Sequence, residues 1–511
     1  MKNVVFIMLD SLQFNYLGCY GNDWIKTPNI DQLAREGTLF ENAYTEGLPT
    51  IPCRRAMLTG RYTLPFKGWG PLDLDDTSIG DILWGRGIDT AMVYDSAPMQ
   101  LPKYGYARGF NHVQFRHGHE LDHYFYSHDE LKRLDYRDYL EDHITDEAAK
   151  GGKNQGRAAV EGELKDFLKL RQHWKSEEDN YVAIVSKDAL QYLDQVDKTH
   201  PFLLWMDSFD PHEPWDPPSV WDPDLKCPYN PDYKGKDQIL PLMGEVEGVF
   251  TEEEMHHIRM LYAENVTLCD KYVGKVFDKL KELGLWDNTM IILCSDHGEP
   301  MGNGEHGHGI MRKARPWPYE ELAHIPFIVR LPGVGEGKRV KSFVQSCDVA
   351  PTILDYLGTS DIEVKHGQLT MSTYGTDDMQ GHSLLPLVRG EKEKVRDFAI
   401  SGYYGFAWSI IREDFSYISW LTEGTESFGE LVLKMYDGVG MSKGQFATTM
   451  QDDDEMWTCT PGSEAILPEK DELYDRVADP FQLNNIIDKN PEKAKELLVQ
   501  LKQFMSELRT S

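Results

Sequence analysis

Four side chains of this chain form a set that could do chemistry: Asp10, Thr50, Asp296 and His297. Asp10 closes the apolar run Val4-Val5-Phe6-Ile7-Met8-Leu9. Asp296 and His297 follow Ser295 at the end of Met290-Ile291-Ile292-Leu293-Cys294. Open α/β sheets place ligand sites at the carboxyl ends of their strands, so both positions fall where a ligand would sit. One hydroxyl, two carboxylates and one imidazole make a cation site. Oxygen ligands alone suit calcium or magnesium, and an added imidazole shifts the preference to manganese or zinc. Thr50 stands where a helix begins. It can cap the helix that carries Arg54 to Leu58, and a helix N-terminus also favours a bound anion.

The elements that must hold these groups are read from pattern. Val4 to Leu9, Phe202-Leu203-Leu204-Trp205-Met206 and Met290 to Cys294 are apolar throughout, as strands of a parallel sheet covered on both faces are. Residues 76–94 read as a helix opened by Thr77-Ser78-Ile79-Gly80 and then a strand, Asp89 to Tyr94. Residues 252–283 read as a long amphipathic helix, with Ile258, Leu261, Val266, Leu268, Val273, Val276, Phe277 and Leu280 near helical spacing and Gly284 ending it. Residues 115–190 are polar, helix-like and rich in histidine (His117, His119, His123, His128). His117 and His119 alternate instead of sharing a helical face, so this stretch reads as a solvated polar insertion, able to cover a site mouth or form a homo-oligomer contact. After about residue 390 short alternating strands take over: Phe398 to Gly402, Ala407 to Arg412 and Phe415 to Trp420, with an amphipathic helix from about Pro491. The expected division is therefore 1–390 and 391–511, since 511 residues exceed one ordinary domain. Residues 425–465 fit no pattern.

Composition narrows the partners. A formal net charge of −31 argues against nucleic acid or an anionic membrane, and any anionic substrate must meet a local positive field. Seven scattered cysteines with no close pair read as reduced thiols. The opening Met1-Lys2-Asn3 leads straight into a short apolar run, unlike a signal peptide, and no apolar stretch is long enough to span a bilayer. A cytoplasmic protein is expected.

Thr50-Ile51-Pro52-Cys53-Arg54, running on through Met57-Leu58-Thr59-Gly60-Arg61, resembles the nucleophile motif of the sulfatase family of the alkaline phosphatase superfamily: C/S-x-P-x-R followed by Leu-Thr-Gly-Arg. The family's Cys or Ser, oxidised there to formylglycine, falls on Thr50. Cys53 is no substitute, because Pro52 and Arg54 are spaced for Thr50 while Cys53 has Arg55 and Met57 at those places. Leu17 to Gly21, Thr27 to Ala34, Pro211-His212-Glu213-Pro214 and Gly302 to Lys313 look like further landmarks of the same family. The resemblance implies an α/β fold: a central mixed, mostly parallel sheet flanked by helices, plus a small C-terminal domain with a four-stranded antiparallel sheet and a helix. It also implies roles. Asp10, Thr50, Asp296 and His297 would hold one divalent metal ion, manganese or zinc before calcium or magnesium. Arg54, His306 and Lys313 would face the substrate anion, with Arg312 or His308 as alternatives to Lys313. His212 would protonate the leaving oxygen.

Two departures point within the family. Tyr94-Asp95-Ser96 stands where arylsulfatases carry Gly-Lys-x-His, and Tyr94 and Ser96 as substrate-binding residues look more like the phosphonate monoester hydrolase and phosphodiesterase branch. Threonine cannot become a formyl aldehyde, so no formylglycine is expected. The reading is a hydrolase of a small anionic ester, a phosphodiester or phosphonate monoester, passing through a phosphothreonine. A sulfuric ester hydrolase without formylglycine, a phospho-group transferase and a silent binding scaffold are the alternatives.

Overall fold

The structure is a computed structural model that describes the chain except residues 1, 85, 120–130, 146–153, 303–306, 314–316, 335–336, 360–377, 421–467, 469 and 511. The fourteen strands among the described residues are numbered in chain order. β1 (Asn3–Leu9), β2 (Thr38–Tyr44), β3 (Asp89–Tyr94), β4 (His112–Phe115), β5 (Phe202–Ser208), β7 (Thr289–Cys294), β9 (Phe327–Arg330) and β10 (Lys338–Gln345) form one eight-stranded sheet in the order β10-β2-β9-β7-β1-β5-β3-β4. β1 lies between β5 and β7 and runs parallel to both; β9 alone is antiparallel to its neighbours β2 and β7. Short β6 (Gly244–Glu245) and β8 (Ile310–Met311) pair as a separate ribbon.

Every residue of β1 is buried, which is why its sequence shows no polar alternation. Val5, Ile7 and Leu9 face one apolar layer, built with the helices Pro28–Glu36, Arg157–Arg171, Tyr181–Gln195 and Glu252–Glu282. Val4, Phe6 and Met8 face the other, built with the helices Thr50–Thr59, Ile79–Leu83 and Val349–Leu357. Truncating one such side chain, Ile7→Ala for instance, costs about 2–5 kcal/mol where the gap cannot close. Ser78 caps its short helix as the sequence suggests, with Asp81 reciprocating, and Thr251 and Glu254 do the same for the long helix.

One expectation changes. Part of the 115–190 stretch is core and not a solvated insertion: Val160, Leu164, Phe167 and Leu168 are buried, as are Val182, Val185 and Ala189. Their spacing gives each helix one apolar stripe, and the many charges between them cover only the outer face. His123 and His128 lie outside the described residues.

β11 (Ala399–Tyr403), β12 (Ala407–Ile411), β13 (Phe415–Trp420) and β14 (Glu472–Asp475) form the antiparallel four-stranded sheet. The helix Pro491–Thr510 lays Leu497, Leu501 and Met505 on Ile400, Ile410, Tyr417 and Leu473. Two bonds join this sheet to the segments beside the catalytic candidates. Leu48 N donates to Gly402 O at 2.9 Å, and Tyr403 Oη donates to Lys313 O at 3.3 Å. Among the described residues six cysteines are free thiols, and no helix is long and apolar enough to cross a membrane.

Candidate active site

The helix Thr50–Thr59 begins with Pro49 in the capping position and no side-chain cap. Thr50 is thus not its cap. Its side chain turns inward, 2% exposed, with Oγ1 3.2 Å from His297 Nε2. His297 donates from Nδ1 to Gly298 O at 2.7 Å, which leaves the Nε2 lone pair facing Thr50. Burial pushes this imidazole down to about 4, so the ring is neutral. The same nitrogen lies 3.8 Å from Asp10 Oδ1 and 3.5 Å from Asp296 Oδ2. Ligand atoms of Asp10, Asp296 and His297 all fall within 4.8 Å of one another.

Ser11 locks the two carboxylates in place. It adopts φ 60°, a left-handed conformation that serine seldom takes, and so aims its N–H at Asp296 Oδ1 (3.1 Å) and its hydroxyl at Asp10 Oδ1 (3.0 Å). Lys313 Nζ reaches the same hydroxyl at 3.2 Å.

Arg54 corrects a sequence expectation. Its guanidinium grips Asp207 through Nε (3.0 Å) and Nη2 (2.7 Å). Nη1 donates to Asp296 Oδ2 (2.6 Å) and Thr50 O (3.3 Å), and Nη2 lies 3.0 Å from Asp10 Oδ2. These contacts occupy the fork, so Arg54 holds the carboxylates together instead of facing a substrate anion. Three carboxylates with no exposed surface therefore meet one guanidinium and one neutral imidazole. Two negative charges are left uncompensated within that group. A divalent cation held by Asp10, Asp296, His297 and Thr50 fits this donor set in both charge and ligand type.

Of the three candidates for the second cation, Lys313 is the one that reaches Ser11 beside the paired carboxylates. Its Nζ lies 3.5 Å from Glu299 Oε2 and 3.7 Å from Glu213 Oε2, besides Ser11. Arg312 is drawn instead to Glu213 and Gln155, and His308 to Glu321 and the Gln482 carbonyl. His212 donates from Nδ1 to Glu213 O at 2.7 Å and stacks on Phe209 at 4.1 Å. Burial pushes its imidazole down to about 3, against the pull of Glu213. The ring is therefore neutral without substrate, its Nδ1–H held by the Glu213 carbonyl.

Tyr94 is not brought to the site. Strand alternation turns its ring into the apolar layer with Met92 and Trp205, where its hydroxyl donates to Gln100. Ser96 is fully buried at the rim with its hydroxyl unpartnered. His306 lies outside the described residues. Sequence reasoning passed over Asp207, Glu213 and Glu299. Each adjoins a segment singled out above, but nothing in spacing separates a carboxylate that holds a cation from one at a strand end. One other trio among the described residues, Glu141, His143 and Glu254, is as closely grouped; it lies apart from this centre, and Glu254 there caps the long helix.

Comparison with known proteins gives the family and the fold. Residues 2–359 match the sulfatase family, and residues 304–415 match the C-terminal part of N-sulphoglucosamine sulphohydrolase. An arylsulfatase of Clostridium perfringens is 27% identical over 433 residues, 79% of this chain and 82% of its own length. The multifunctional alkaline phosphatase superfamily protein PehA of Trinickia caryophylli is 27% identical over 411 residues, 70% of this chain and 74% of its own. Among solved structures, the phosphonate monoester hydrolase of Agrobacterium radiobacter shares the fold with a TM-score of 0.64 at 19% identity, over 99% of this chain and 96% of that one.

Proposed function

The chain belongs to the sulfatase family of the alkaline phosphatase superfamily, a family of ester hydrolases, and from that premise we propose that it cleaves phosphodiesters or phosphonate monoesters with Thr50 as nucleophile. The observation that carries this reading is the Thr50 hydroxyl, buried and aimed at the lone pair of His297 between Asp10 and Asp296. A divalent cation bound by these residues would lower the pKa of the hydroxyl and polarise the ester.

The chain's own groups do the rest. Thr50 supplies the attacking oxygen, the leaving alkoxide departs, and water then hydrolyses the phosphothreonine to restore the hydroxyl. Ser11 and Arg54 keep Asp10 and Asp296 in register, and Lys313 offsets charge on the phosphoryl oxygens. His212 takes up a proton only once the substrate's own negative charge raises its affinity, and in that form it serves the leaving oxygen.

Chemistry favours phosphorus over sulfur here. A sulfated formylglycine hydrate expels sulfate by C–O cleavage, because its carbon bears a second hydroxyl. A sulfated threonine has none and would be a trap, whereas a phosphorylated one has an ordinary hydrolytic exit. The arylsulfatase relative keeps sulfate esters as the second reading. A panel of nitrophenyl phosphodiester, phosphonate, phosphate and sulfate substrates with added manganese, zinc or calcium decides between them. Phosphorus esters should turn over fastest, and Thr50→Val should lower that rate roughly a thousandfold or more. Sulfate turnover above every phosphorus ester, or full activity in the valine variant, overturns the proposal.

A further inference from the structure

A cleft of about 650 Å³ opens between residues 13–24 and the long helix Glu252–Glu282. That volume is in the range of small-molecule sites. Gln13 joins it to the catalytic rim: it lines the cleft and donates from its side chain to Glu299 O. One wall is aromatic and prearranged. Trp24 is 44% exposed, and its indole stands edge-on to Tyr16 (5.9 Å, 81°) and Tyr229 (5.5 Å, 77°). Asn22 Oδ1 accepts from the backbone of Trp24 (3.1 Å) and Ile25 (2.9 Å), fixing the turn that presents the indole. The Tyr229 hydroxyl accepts from Lys26 N at 3.1 Å and pairs with Thr267 at 2.6 Å. An exposed indole held this firmly loses little freedom when a ring packs against it.

The opposite wall carries Arg259 and His256, one turn apart on the long helix. Arg259 is half-buried and donates from Nη1 to Met301 O at 3.3 Å. No ion pair of Arg259 occurs among the described residues, in a chain where 84 acidic residues outnumber 53 basic ones. Desolvation and the neighbouring guanidinium both hold His256 in its neutral form. Among the described residues of the lining the sole carboxylate, Glu321, is turned to His308 Nδ1 at 3.2 Å. A partly desolvated guanidinium without a carboxylate binds an anion with little competition from the protein itself.

We propose that this cleft binds a monoanionic ring compound, its ring against the Trp24 indole and its anionic group on Arg259. The inference does not depend on Thr50 or on the element at the centre of the ester. A sugar acid and an aromatic acid share this chemistry, and titration separates them. Calorimetry on the full chain should detect binding of glucuronate or benzoate, whichever source applies, and no comparable binding of neutral glucose. Arg259→Gln should weaken that binding about tenfold or more, the loss of one charge-assisted contact. Trp24→Ala should weaken it several-fold, and Thr50→Val should leave it unchanged, which separates the cleft from the catalytic centre. Circular-dichroism melting of each variant confirms that the fold is intact. Failure of both acids to bind, equal binding of glucose, or unchanged affinity in a folded Arg259→Gln chain overturns the proposal.

Discussion

Two groups of buried acids sit side by side on the rim of the large sheet and behave in opposite ways. In one, Asp10, Asp207 and Asp296 converge on Arg54. In the other, one residue beyond β3, Asp95 accepts a bond from Phe209 N (2.7 Å) through Oδ1 while Oδ2 has no partner. Its neighbours are Asp210 and His119, which lie 3.5 Å apart. Desolvation pushes the Asp95 carboxyl up to about 7, because no fixed cation such as Arg54 stands against it. Both groups have almost no exposed surface. The difference is the counter-charge, and it decides whether a buried acid is ready to hold a metal ion or takes up a proton near neutral pH.

The sharpest test of that contrast removes the cation. Arg54→Met should strand three buried carboxyl groups and lower unfolding stability by about 3–5 kcal/mol in metal-free buffer. Added manganese should restore part of the loss, as measured by denaturant titration with and without metal. A methionine variant as stable as the parent would show that Arg54 does not hold the centre together. Asp207→Asn is milder. It keeps the volume, leaves Asp10 and Asp296 on the guanidinium, and should cost roughly 1–3 kcal/mol. Its turnover should fall while the affinity for substrate changes little, because Asp207 aligns the carboxylates and does not meet the ester. An unchanged rate would confine Asp207 to stability.

Asp95→Asn should do the reverse of both and by less. A carboxyl raised from its unfolded value to about 7 adds no penalty below pH 4, where folded and unfolded forms are both protonated. As pH rises toward 7 the unfolded chain ionises first, so stability is lost across that window and stays lost above it. Asparagine escapes that penalty. The variant should therefore be about 1–2 kcal/mol more stable than the parent at pH 8, with the gap closing by pH 4 in thermal melts. A gap independent of pH would mean that Asp95 is ionised throughout.

Much of this rim was legible in the sequence because β1, β5 and β7 are covered on both faces, and unbroken apolar runs mark such strands plainly. The polar residues just past each run fall on the rim, which is how Asp10 and the Asp296-His297 pair stood out. Asp207 follows its run just as directly, yet its role was hidden. It lies inside β5, in register with Met8 and Tyr94, and only the folded sheet sets it against a guanidinium from another element. The direction of the Arg54 fork was equally hidden: spacing places it four residues from Thr50, but three acids remote in sequence decide where it points. The helices Arg157–Arg171 and Tyr181–Gln195 were obscured by their charge, since overall polarity masked a narrow apolar stripe that the spacing of Val160, Leu164, Phe167 and Leu168 already drew.

The bonds from Gly402 to Leu48 and from Tyr403 to Lys313 make the small sheet a brace that spans the reaction centre from behind. One end steadies the approach to Thr50, and the other steadies the backbone of Lys313. A minimal catalyst cut from the large sheet alone would keep every proposed metal ligand yet lose the jig that sets their spacing. Portability, in this molecule, stops at Tyr403.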